Sequence, residues 1–160
     1  MSPGLFKILP VSDDQADPAQ ILAQHERVQQ IRRTLPNFDY TEEVNMSVLS
    51  GHSINLVRKD TEPCEGGTYK GEWNALTNLR HGRGVQIWED GSMYEGFWVD
   101  GKKNDRGRLI YAFGDWYEGE WKDDLRHGYG KFTNSEGVKY SGEWKANEQH
   151  GKATVLWPNG

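Results

Sequence analysis

The chain has 160 residues, enough for one modest core or one elongated array, and more than two compact domains do not fit. Its 19 Lys and Arg stand against 24 Asp and Glu, and the resulting net charge of −5 argues against sequence-independent binding of nucleic acid. No apolar run approaches the ~18 residues that a membrane-spanning helix needs, so no transmembrane segment is expected.

In chain order, residues 1–18 carry a short apolar patch broken by Pro3 and Pro10 and followed by acidic residues. That is wrong for a secretory or a mitochondrial leader, and an intracellular location is expected. Asp17-Pro18-Ala19-Gln20 then reads as a helix start, with a carboxylate cap, proline in the first turn and Gln20 placed for a capping box. Ile21, Leu22, Val28, Ile31 and Leu35 favour one side of a helix, and Pro36 ends it, which predicts a helix over about 18–34. Its apolar stripe is expected to dock on its own chain in preference to another protein. Arg27, Arg32 and Arg33 also suggest a calmodulin-target or lipid-surface helix, a suggestion that Glu26 and the glutamines dilute. From Asn37 to Glu65 the pattern is weak; Ile54-Asn55-Leu56-Val57 suggests a short strand and the rest an extended lead-in. The single cysteine, Cys64, has no partner for a disulfide or a metal finger.

Composition changes at about residue 65. Of the 19 glycines all but Gly4 and Gly51 lie beyond it, as do all 7 tryptophans. Two domains are therefore expected, an arm over 1–65 and an array over 66–160. Within the array, Gly66, Gly91, Gly114 and Gly137 stand three residues before Tyr69, Tyr94, Tyr117 and Tyr140, where the units start, and one further step of 23 residues from Gly137 reaches Gly160 at a turn position. Each unit opens Tyr-x-Gly-x-Trp: Tyr69/Gly71/Trp73, Tyr94/Gly96/Trp98, Tyr117/Gly119/Trp121 and Tyr140/Gly142/Trp144. Period two places those three side chains on one face of a strand, with Lys70, Glu72, Glu95, Glu118, Glu120 and Glu143 expected on the other face, in water. Gly-x-Gly-x-(apolar or Gln) follows at Gly82/Gly84/Gln86 and Gly128/Gly130/Phe132, with departures at Asp105/Gly107/Leu109 and Gly151/Ala153/Val155. Two short strands per unit, punctuated by glycine, describe stacked β-hairpins that share one aromatic row.

Tyr-x-Gly-x-Trp combined with His-Gly-x-Gly at this period resembles the MORN (membrane occupation and recognition nexus) repeat, over Gly66 to Gly160. The resemblance implies a mainly β fold: an elongated, twisted antiparallel sheet of stacked hairpins with a groove, here preceded by a helix-containing arm. Asp105 and Ala153 stand where the family pattern has glycine, and the connection from Asn74 to Arg80 carries two additional residues, so local loop geometry is expected to differ there.

No catalytic constellation stands out, and no enzyme, cofactor or metal site is expected. His127-Gly-Tyr-Gly-Lys131 lacks the order of a phosphate-binding loop. His81, His127 and His150 recur with the unit, which sets them roughly 10 Å apart, too far to share one ion. What remains is a surface. Arg80, Arg83, Lys103, Arg106, Arg108, Arg126, Lys131 and Lys152 are expected to align as a basic ladder along one edge, facing acidic protein segments or anionic lipid. Trp88, Trp98, Trp116, Trp121, Trp144 and Trp157 are candidate anchors for a partner. The expected role is a non-enzymatic scaffold that binds other proteins in a cytoskeletal assembly. Similarity of the repeat wording to axonemal and radial-spoke MORN proteins of ciliates and related protists implies a cilium or flagellum. The alternatives are a peripheral tether on acidic phospholipid at the cytoplasmic face of a membrane, and a regulatory module for an enzyme supplied in trans.

Overall fold

The computed structural model describes residues 17–41 and 54–159. The expectations for residues 1–16, for 42–53 and for the turn at Gly160 lie outside that range. Helix α1 spans Pro18–Thr34, with the Asp17 carboxylate accepting from the Ala19 N–H at 3.2 Å. Pro18 fits the first turn because its missing N–H has no partner to lose there, and Arg32 and Arg33 complement the dipole in the last turn.

Among the described residues nine strands follow: β1 (Leu56–Cys64), β2 (Gly67–Asn74), β3 (Leu79–Trp88), β4 (Met93–Val99), β5 (Lys102–Ile110), β6 (Trp116–Lys122), β7 (Leu125–Thr133), β8 (Lys139–Lys145) and β9 (Glu148–Leu156). They form one sheet in sequence order, each antiparallel to the next. The sheet therefore begins at Leu56, ahead of the compositional boundary, and the short strand expected near Ile54 is a full first strand.

Three of the four hairpin tips are two-residue turns, Asp100-Gly101, Asp123-Asp124 and Ala146-Asn147, with positive φ at both positions. That is the turn whose twist matches the flanking strands. The two additional residues of the first unit make its tip longer, over residues 75–78. Each hairpin also bulges at the same place, between Gly71 and Trp73, Gly96 and Trp98, Gly119 and Trp121, and Gly142 and Glu143. Opposite each bulge the chain turns left-handed, at Gly82 (φ 89°), Asp105 (φ 58°), Gly128 (φ 59°) and Gly151 (φ 60°). Asp105 can replace glycine because a short polar residue tolerates that conformation.

The sheet buries both faces, unequally. One face carries the aromatic cluster of Tyr69, Trp73, Tyr94, Trp98, Leu109, Tyr117, Trp121, Phe132, Tyr140 and Trp144. On the other, α1 packs Val28, Ile31 and Leu35 against Met93, Ile110, Val85, Ile87 and Trp116, and Phe38 and Tyr40 pack on Phe97, Val99 and Ile54. The arm thus docks on its own array.

It lies on the second unit for a reason written in that unit. Where the other units have Glu72, Glu120 and Glu143, the second has Phe97. Glu95, expected in water, is buried beneath the arm, where it meets Arg32 Nε at 2.7 Å and Arg108 Nη1 at 3.0 Å.

Candidate functional site

The aromatic face is assembled by a rule that every unit repeats. A row of glycines crosses the sheet, Gly71–Gly84–Gly96–Gly107–Gly119–Gly130–Gly142, and ends on Ala153. Tyr69, Tyr94 and Tyr117 lie flat over Gly84, Gly107 and Gly130 of the following strand, where any Cβ would collide with the ring. Each tyrosine hydroxyl donates to a backbone carbonyl three residues on: Glu72 (2.9 Å), Phe97 (3.0 Å), Glu120 (2.9 Å) and, for Tyr140, Glu143 (2.9 Å).

Each tryptophan is then completed by the preceding unit. Trp98, Trp121 and Trp144 stand edge-on to Tyr69, Tyr94 and Tyr117 at 5.5, 5.5 and 5.3 Å. Their indole N–H groups donate to Gly84, Gly107 and Gly130 carbonyls at 3.4, 3.0 and 3.3 Å. Over the rings lie Arg80 (4.3 Å from the Trp98 centroid), Lys103 (5.3 Å from Trp121) and Arg126 (4.4 Å from Trp144). The next hairpin tip holds these cations: Arg80 Nη2 donates to Gly101 O at 2.8 Å, Lys103 Nζ meets Asp124 at 3.2 Å, and Arg126 Nη2 donates to Asn147 O at 3.0 Å. In the first unit Lys59 lies 4.8 Å from Trp73, but Trp73 Nε1 is buried without a hydrogen-bond partner among the described residues.

This arrangement corrects the expected basic ladder. Arg126 is buried over an indole, and Arg80 and Lys103 lie over the same aromatic face. Arg108 points to the opposite face and is 1 % exposed, held by Glu95, by Glu118 at 2.6 Å and by the Pro36 carbonyl at 2.9 Å. Arg83 and Lys131 are exposed on that outer face, and Arg106 is half-buried there beside Asp39. Glu72 and Glu120 are not free surface carboxylates either, since they accept from the Arg83 N–H (2.6 Å) and the Tyr129 N–H (2.9 Å) at the bulges.

The candidate anchors separate in the same way. Trp98, Trp121 and Trp144 are core. Trp116 is half-buried among the residues under α1, and Trp157 is 58 % exposed beyond β9. Trp88 alone among them borders an open cleft on the aromatic face, of about 390 Å³, which Tyr111, Leu109, Lys103 and Ser92 also line. Burial lowers the pKa of Lys103, and the Asp124 carboxylate partly restores it.

His81 is buried, with its Nδ1 accepting from the Asp100 N–H at 3.3 Å; His127 is half-buried and His150 exposed. Among the described residues no group of three or more His, Cys, Asp or Glu is placed to hold a metal ion, and no helix is long and apolar enough to cross a membrane. The half-buried Cys64 packs against the aromatic cluster, and burial raises its thiol pKa.

A face of rings locked by hydrogen bonds, with backbone and cations filling the remaining space, defines a repeat protein whose product is a surface. Comparison with known families matches the MORN repeat at residues 69–93, 94–115, 117–138 and 140–160, more than half of the chain. The protein belongs to the MORN-repeat family, whose members generally act as protein-interaction scaffolds. Comparison with curated proteins gives no match.

Proposed function

We propose that this protein is a scaffold that joins other proteins in a cytoskeletal assembly, within the axoneme of a cilium or flagellum. One observation carries the interaction role. The unit-to-unit interlock of Tyr69/Trp98, Tyr94/Trp121 and Tyr117/Trp144 fixes a broad surface in advance of binding, with the half-buried Trp88 and Tyr111 left at its margin. A preformed surface loses little conformational entropy when a partner docks. The axonemal setting rests on the resemblance of the repeat wording.

Sequential extraction of the native cells, neutral detergent and then high salt, tests the proposal by tracking this protein with mass spectrometry. Retention in the detergent-insoluble skeleton is the expected result, and cross-linking there would name its neighbours. Release by detergent together with membrane markers would instead favour the tether on acidic phospholipid. On the described outer face Arg83, Lys131 and Lys152 are exposed and available to that alternative, but they alternate with Glu72, Glu120 and Glu143. Mixed signs weaken attraction to a uniformly anionic surface.

A further inference from the structure

Five tryptophans of the aromatic face have a cation of their own chain over the ring, and Trp88, which shares Lys103 with Trp121, also borders an open cleft. Trp88 and Tyr111 occupy equivalent places on β3 and just beyond β5. Two strand spacings separate their backbones, roughly 10 Å; both side chains line the open cleft, and the Tyr111 ring is stacked on Phe113 at 5.3 Å. On the strand between them the residue is Ser92, whose carbonyl accepts from the Trp88 N–H at 2.9 Å and whose hydroxyl is held by Asp90 at 3.0 Å. Small and already hydrogen-bonded, Ser92 keeps the slot open.

The charges around it are unequal. Lys103 Nζ lies over the Trp88 ring, 5.6 Å from its centroid, and is matched by Asp124. Glu89 and Asp90 stand exposed at the lip, and among the described residues no cation besides Lys103 lines the cleft. An entering carboxylate would meet those two acids first. A neutral ring would stack but offer no charge to Glu89 or to Asp90, whose carboxylate already accepts from the Ser92 N–H at 2.8 Å and hydroxyl at 3.0 Å. A guanidinium does both things, because it is planar, stacks on aromatic faces and carries a charge that the lip attracts. The same chain already uses that contact at Arg80 on Trp98 and Arg126 on Trp144.

We infer that the slot between Trp88 and Tyr111 takes an arginine side chain from a partner protein, with Glu89 and Asp90 as its counter-charges. This rests on the protein-interaction role proposed above and specifies its chemistry: a basic segment, where the sequence alone pointed to an acidic one.

The test uses the full chain and four blocked pentapeptides, Gly-Ser-Xaa-Ser-Gly with Arg, Lys, Phe or Glu at the centre, followed through the tryptophan indole signals by NMR. The arginine peptide should move the Trp88 signal while Trp98 and Trp144 stay in place, and should bind at least about threefold more tightly than the Phe or Glu peptide. Trp88→Leu should abolish the preference. Glu89→Gln, at an exposed position that leaves the fold intact, should weaken the arginine peptide by roughly two- to fivefold and leave the Phe peptide unchanged. Tighter binding of the Phe or Glu peptide, no movement of Trp88 with any peptide, or an arginine preference that survives Trp88→Leu would each overturn the assignment. None of those outcomes bears on the extraction experiment, where release with membranes would remove the scaffold role and leave the slot's preference measurable.

Discussion

The two faces of this sheet are held by different kinds of sequence. On the aromatic face every unit repeats Tyr-x-Gly-x-Trp, and Trp98, Trp121 and Trp144 meet equivalent sets of neighbours. On the outer face the units disagree, and the disagreement places the arm: Phe97 stands where glutamate stands in the other three units, and the buried network of Arg32, Glu95, Arg108 and Glu118 forms beside it. Repetition encodes the scaffold, and departure from it encodes what the scaffold carries.

That division can be broken on either side. The largest effect is expected from Trp121→Ala, which removes a ring that is 4 % exposed and touches Tyr94, Tyr117 and Lys103. Global stability should fall by about 3–5 kcal/mol, read as a lower urea midpoint. An unchanged midpoint with lost partner binding would show that the ring belongs to the interaction surface instead.

Phe97→Glu restores the repeat at the arm's docking place and sets a carboxylate against Phe38 and Tyr40, with Arg83 opposite it across the strands. It should release the arm at an expense of about 2 kcal/mol. Hydrogen exchange should then lose protection over residues 18–34 while the strands keep theirs. Loss of protection in both regions would mean that the arm is part of the core.

Alkali should attack the aromatic face directly. Burial pushes the hydroxyls of Tyr69, Tyr94 and Tyr117 above the ordinary tyrosine range. An acid whose pKa is raised on folding contributes stability that is complete below its unfolded value, about 10. Above that pH the unfolded chain loses the proton first, and stability falls by up to about 1.4 kcal/mol per tyrosine for each further pH unit. The tyrosine contribution to the urea midpoint should therefore be flat below about pH 9 and drop steeply above about pH 10; a midpoint that stays flat from about pH 9 to 11 would contradict the burial.

The smallest effect sharpens the comparison at a hairpin tip. Ala146 adopts φ 49° in a turn where the equivalent residues are Asp100 and Asp123. Ala146→Asn should add about 0.5–1 kcal/mol, measurable as a small rise in the thermal midpoint.

The repeated face was legible in the sequence because period-two aromatics and glycines recur at one spacing. Helix α1 was legible too, through Asp17, Pro18 and Pro36. Strand β1 was harder to read in full, since an edge strand with residues such as Arg58, Asp60 and Glu62 exposed shows little apolar alternation. The fate of the basic residues was misread although its signal was present: Arg80, Lys103 and Arg126 each precede Trp98, Trp121 and Trp144 by the same interval. Contacts between neighbouring units lie across that interval, and a search within one unit does not find them. The buried position of Arg108 depends on a chain segment some seventy residues earlier, and no local pattern announces it. The slot beside Trp88 was also beyond local reading, because its two walls come from different units.

The completion of each tryptophan by the unit before it gives the array a direction. During synthesis the amino-terminal units emerge first. When Trp121 leaves the ribosome, the Tyr94 ring, the Gly107 carbonyl and Lys103 have already been made, and the same holds for Trp144 with Tyr117, Gly130 and Arg126. Each new unit can therefore fold onto a ring and a carbonyl already in place, and the hairpin tip that follows each tryptophan, at Asp124 or Asn147, then fixes the cation over it.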